Sequence, residues 1–193
     1  MKRAVLLLLI VPLVVMPSQS AHADFQRHMD GNDVHGRLDI RSVSAGHGAK
    51  RGVVVHTLKT FGRWHSRLLR PSDVYVAFDV DPRGDTNNGR AIWVDYNKNG
   101  LRVRIRGYGT DSPGPTYGHG HAWRPNLRTL KVAFSLRDLP RTMRDGYRWR
   151  AWSSYERKGS AHCEPGGTST FPMGSCVDRA PYGVRHWYHH RLD

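Results

Sequence analysis

Near the start of the chain four oxygen-bearing side chains stand close together: Asp30, Asn32 and Asp33 on a turn containing Gly31, then Asp39 between Leu38 and Ile40. Hard carboxylate and amide oxygens at such spacing are the ligands that Ca2+ takes. Asp178, two residues after Cys176, is the candidate to join them, because the ends of a compact domain often lie close together. The competing reading is a turn in which Asp and Asn side chains bond nearby backbone N–H groups. An ion here would be a structural clamp, not a catalyst.

A second chemistry lies in the middle of the chain. Arg102, Arg104 and Arg106 alternate with Leu101, Val103 and Ile105, so one face of an extended segment would carry three guanidinium groups. Arg148 and Arg150 would extend that basic face if their strand joins the same sheet. The segment 107–126, rich in Gly, Pro, Tyr and His, reads as a long loop, and loops of that length in compact domains tend to be functional or mobile. Tyr117, His119, His121 and Trp123 lie within it, where an aromatic face can stack on a sugar ring or base. These four residues and the three arginines are the expected ligand contacts. The bland counterparts are aromatics that cover a core edge and a solvated amphipathic strand.

Other clusters yield less. Asp79, Asp81, Asp85, Asn87 and Asn88 sit at a strand end and the turn after it, and read as a turn rather than an ion site. Asp95-x-Asn97-x-Asn99-Gly100 matches the first half of an EF-hand loop, but Arg106 stands where the bidentate Glu is needed. Asn97 to Gly100 instead suits a tight hairpin. His119, His121, His186, His189 and His190 lack a metal-ligand spacing and read as solvated.

Catalytic signatures are sparse. The chain contains only two glutamates, Glu156 and Glu164, which disfavours a sandwich glycosidase with paired Glu on facing strands. There is no Gly-x-Ser-x-Gly elbow.

The elements that must position these residues are strands. Period-two alternation runs through Leu38 to Val43, Val53 to Phe61, Val74 to Val80, Ala91 to Tyr96, Leu101 to Ile105, Leu130 to Phe134 and Tyr147 to Ala151. Only Ser135 to Met143 looks briefly helical, with Ser135 as cap and Pro140 cutting it short. Seven or more strands without helix–strand alternation predict an all-β fold, an antiparallel β-sandwich of jelly-roll-like form with long loops.

The pattern Asp30-x-Asn32-Asp33, then Leu38-Asp39-Ile40, then Phe78-Asp79-x-Asp81 in a strand series, resembles secreted bacterial β-sandwiches of the family-nine carbohydrate-binding-module and DOMON-like type. It is also similar to secreted actinobacterial proteins. The likeness covers the N-terminal strands; the Arg-rich strands and the cysteine-bearing tail lie outside it. It implies a ligand-binding sandwich with structural calcium, and carries over no sugar contact.

Lys2 and Arg3, the thirteen apolar or small residues Ala4 to Met16, and Ala21-His22-Ala23 form an export leader with an expected cut before Asp24. The apolar run is too short to span a bilayer. Residues 24–193 are then one domain, with an irregular C-terminal segment after Ser153. The formal charge of +14 falls to +12 without Lys2 and Arg3, an excess that draws anionic partners through a field that salt screens. Export favours a disulfide between Cys163 and Cys176, a constraint on the order of 3 kcal/mol for so short a loop.

The expected function is therefore that of a secreted, non-enzymatic protein binding carbohydrate or an anionic cell-envelope polymer, with non-specific nucleic-acid binding open to it. The alternatives are a secreted hydrolase of polysaccharide or nucleic acid, and a structural exoprotein without ligand.

Overall fold

The structure is a computed structural model that describes residues 26–32, 36–71, 74–84, 89–107, 114–156, 175–181 and 186–191. The expected export leader, Asp33, Asp85, Asn87, Asn88 and Cys163 lie outside the described residues, as does the side chain of Cys176, so the expected disulfide falls outside them too.

Eleven strands are described: β1 (Gln26–Met29), β2 (Ile40–His47), β3 (Val53–Thr60), β4 (Tyr75–Asp81), β5 (Arg90–Asn97), β6 (Gly100–Gly107), β7 (Thr116–Asn126), β8 (Thr129–Ser135), β9 (Gly146–Glu156), β10 (Ser175–Ala180) and β11 (Tyr188–Arg191). Every pairing is antiparallel, in the order β1-β2-β3-β8-β7-β6-β5-β4-β9-β10, with β11 also on β9.

The ladder curls into two layers. β7 is the strand they share: its first half pairs with β6 and its second half with β8. The first sheet is β1-β2-β3-β8-β7, and the second is β7-β6-β5-β4-β9 with β10 and β11 at its edge. Alternation fixes what each layer presents inward: Val54 and Leu58, Leu130, Val132 and Phe134 from one, and Val76, Phe78, Val80, Ile92, Val103, Ile105 and Trp149 from the other, all fully or nearly fully buried. The antiparallel sandwich expected from the alternation is the observed fold.

Away from β7 the layers meet through side chains. Ser153 Oγ donates to the Leu38 carbonyl at 2.7 Å, and the Asp178 carboxylate accepts from the Ile40 N–H. His28 of β1 stacks on Tyr188 of β11 with ring centroids 3.7 Å apart.

Three expectations change. The segment read as a loop to Asn126 is a strand from Thr116 onward, because His, Gly and Tyr alternate there without an apolar period to mark them. Ser135 to Met143 forms two short 3-10 turns, Leu136–Asp138 and Arg141–Met143: Ser135 accepts the Arg137 N–H at 3.2 Å, and Pro140 precedes the second turn. The C-terminal stretch read as irregular contributes the end of β9, then β10 and β11. The β5–β6 hairpin is tight as expected, with Asn97 opposite Gly100 and Gly100 at φ +110°.

Candidate ligand-binding face

Cross-strand register gathers most of the expected ligand residues on the outer face of the second sheet. Arg104 of β6 lies opposite His119 of β7 on one side and Trp93 of β5 on the other. Trp93 faces Ala77 of β4, Ala77 faces Trp152 of β9, and Trp152 faces Arg179 of β10. One row thus reads His119-Arg104-Trp93-Ala77-Trp152-Arg179 across six strands, all on the side opposite Phe78 and Ile105. At about 4.8 Å per strand, the two indoles stand about 10 Å apart, and Arg104 and Arg179 about 19 Å apart.

The aromatic groups in this row are fixed by their neighbours. Tyr75 stacks on Trp93 with centroids 3.6 Å apart and meets Trp152 edge-on at 6.2 Å. Burial, then the nearby Asp79 charge, hold its phenol well above the usual tyrosine range. Two guanidiniums flank Trp152, those of Arg150 and Arg179, each 5.6 Å from its ring centroid, and Arg150 also lies 4.4 Å from that of Trp187. Trp93, Trp152 and Trp187 remain half-buried, so each keeps part of its surface accessible.

The basic face is partly answered from within. Arg102 forks onto Asp95, with Nε–Oδ1 at 2.8 Å and Nη2–Oδ2 at 2.9 Å, and Arg104 bonds the same carboxylate. The Asp95 hydrogen bond is the main reason the Arg102 pKa is raised. Arg150 pairs with the fully buried Asp79 at 2.8 Å. Arg148 and Arg150 do share the sheet of Arg102, Arg104 and Arg106, as the sequence suggested, but two aspartates punctuate the patch.

On β7, His119, His121 and Trp123 point outward together; His121 and Trp123 are near-parallel with centroids 5.6 Å apart. His119 donates from Nδ1 to the Val103 carbonyl at 3.4 Å. Tyr117 leaves the group. It sits at the irregularity between Ile105 and Arg106 in the β6–β7 ladder, half exposed, with Arg90 3.9 Å over its ring and Gly107 beneath it.

Of the entry cluster, Asp33 lies outside the described residues, and the others stand at the approach to β2 and on β10. Asp39 precedes β2 and is buried, Asn32 is exposed, and the Asp30 N–H donates to the Arg41 carbonyl at 3.0 Å. Asp178 does reach this end, where its carboxylate receives the Ile40 N–H. Among the described residues no three His, Cys, Asp or Glu side chains are arranged to hold a metal ion. Asp81 caps its own turn, accepting the N–H groups of Arg83 and Gly84 at 2.8 and 2.6 Å.

Sequence reading missed an internal group of titratable residues. His56 is fully buried between the sheets, bonded to Tyr147 Oη at 2.7 Å and edge-on to Phe78 and Trp149. His190, read as solvated, is buried, with its ring 5.3 Å from Tyr147 and 5.4 Å from His47. Burial, and then the nearby His190, push the His56 pKa well below the usual histidine value; burial alone lowers that of His28. Tyr188 is pushed up to about 12, chiefly by burial and then by Asp30. The available signal was His56 itself, which falls on the apolar phase of Val54 and Leu58.

Neither a family model nor a curated protein matches the chain. Among solved structures it is similar to the cytochrome domain of Myriococcum thermophilum cellobiose dehydrogenase, at 11% identity over 83% of this chain and 84% of that one, with a TM-score of 0.38.

Proposed function

We propose that this chain is an exported, non-enzymatic β-sandwich that binds a linear anionic polysaccharide of the cell-envelope type across the outer face of its second sheet. The observation that carries this reading is the row from His119 to Arg179, in which two half-buried indoles bracket Ala77 and are themselves flanked by Arg104 on one side and Arg179 on the other. Indole faces suit the apolar faces of sugar rings, and guanidinium groups fork onto carboxylates or phosphates. Ala77 keeps the middle of the row low between the two rings. Asp79 and Asp95 are each engaged by arginine, which favours adhesion over hydrolysis.

The test is retention of the protein lacking residues 1–23 on immobilised polygalacturonate, with neutral dextran and double-stranded DNA as comparisons, over a salt gradient. Retention on the polyuronate that weakens with salt, and about tenfold loss of affinity in Trp152→Ala and Arg104→Ala, is the expected result. Equal retention of wild type and both variants, or passage of the wild type without delay, would overturn it. Stronger retention on DNA than on the polyuronate would move the assignment to nucleic acid.

A further inference from the structure

On the outer face Arg102 and Arg104 are answered by Asp95 and Arg150 by Asp79, and Arg124 is held by the Trp64 and Leu127 carbonyls at 2.6 Å and by the Trp64 ring. Another group of arginines gathers around a single opening. Arg51, Arg137 and Arg144, with Gly52, Ser135 and Leu136, line a cavity of about 330 Å³ where the β2–β3 turn, the exit of β8 and the approach to β9 meet. Among the described residues no carboxylate lines it, and none of the three guanidiniums has an acidic partner.

The cavity rests on hydrogen-bonded backbone. The Val53 N–H donates to the Lys50 carbonyl at 3.1 Å, closing the turn that carries Arg51. The Leu136 N–H donates to the Gly52 carbonyl at 2.9 Å, tying that turn to the end of β8. Arg144 follows the fully buried Met143, and its N–H donates to the Arg141 carbonyl at 3.1 Å. Gly52, at φ +75° with nothing within 4 Å of a would-be Cβ, supplies a left-handed turn and no side chain to obstruct the opening. The three arginines, all exposed, thus extend from hydrogen-bonded backbone positions around one opening.

We infer that this cavity is a binding site for a tetrahedral oxyanion, the phosphate or sulfate ester of a sugar-sized molecule. A dianion offers several acceptor oxygens to three guanidinium forks. The volume lies at the lower end of small-molecule sites, which suits an ester carried on a small polar body. The site is separate from the indole row, so it stands whether or not that row binds a polymer.

The test is titration of the protein lacking residues 1–23 with glucose 6-phosphate, glucose 6-sulfate and glucose, followed by NMR at the amides of Gly52 and Arg137 and by calorimetry. Saturable shifts with either ester and none with glucose are expected, with affinity falling about tenfold or more in the Arg137→Ala/Arg144→Ala double variant and staying within about twofold in Lys98→Ala, an exposed cation of the β5–β6 turn. A phosphate or sulfate preference identifies the source of the ester, and equal binding of both still supports the site. The inference fails if neither ester shifts Gly52 up to about 10 mM, or if the double variant binds as the wild type does.

Discussion

His56 Nε2 and Tyr147 Oη lie 2.7 Å apart in the centre of the sandwich, joining β3 of one sheet to β9 of the other by a polar contact inside an apolar layer. Phe78, Phe134 and Trp149 pack around the imidazole, so neither partner can turn to water if the other is lost. Tyr147→Phe keeps the ring and removes the hydroxyl. The expected cost is about 1–3 kcal/mol, the penalty for a buried polar group left unpaired, read from urea unfolding at pH 7.5.

The same cluster makes stability depend on pH in a fixed direction. His56 and His28 both have lowered pKa values in the folded state, so below the ordinary histidine value of 6.5 the unfolded chain binds protons that the folded one resists. Their contribution is full above that value and is lost as pH falls from there toward the folded pKa values. The denaturation midpoint should drop between pH 7.5 and pH 5, and His56→Phe should flatten that slope. A slope unchanged by the substitution would assign the acid sensitivity to other groups.

Asp95 restrains the basic face. Because Arg102 and Arg104 share its carboxylate, Asp95→Asn should release both guanidiniums and raise the salt concentration needed to elute the protein from an anionic polysaccharide. Arg104→Ala should lower it. The pair is largely surface-exposed on the Arg102 side, so the stability change in Asp95→Asn should stay within about 1 kcal/mol.

Asp79 differs, since its side chain is fully buried against a nearly buried Arg150. Asp79→Ala leaves a guanidinium in a layer roofed by Trp152 and Trp187, and an expected loss of about 3–5 kcal/mol follows from stranding a buried charge. Asp79→Asn should cost less, and thermal melts of the two variants check the order.

Asp178 is the cross-link nearest the entry cluster. Its carboxylate takes the Ile40 N–H, so Asp178→Ala should destabilise by about 1.5–3 kcal/mol, as for hydrogen bonds to charged groups. Melting in chelator and in millimolar Ca2+ separates two roles for this end of the domain. An unmoved midpoint assigns Asp178 to the backbone clamp, and a midpoint raised by calcium assigns the carboxylates to an ion.

Strand alternation was readable wherever one face is apolar, as in Leu101 to Ile105 or Leu130 to Phe134, and it led directly to the sandwich. It failed in β7, because Gly118 and Gly120 occupy the inward positions there and leave no hydrophobic period to detect. The arginine strand and the His119 to Trp123 group were legible as residue types. Their shared face was not, since it depends on β6 and β7 being neighbours. Trp93, Ala77 and Trp152 escaped notice as a set because register, set over long sequence separation, is what aligns them. The Arg51, Arg137 and Arg144 cavity draws on three separate turns and has no local signature.

The two sides of the sandwich are built differently, and this has a mechanical consequence. Along β7 the layers share a continuous backbone ladder, like the spine of a book. At the opposite side they are clasped by Asp178 on Ile40, Ser153 on Leu38 and the His28–Tyr188 stack. Opening should start at the clasp, so amides of β1 and β11 should exchange with solvent well before those of β6 and β7. The indole row sits on one cover and reaches β7 at its spine, which leaves a ligand there anchored to the part of the molecule that parts last.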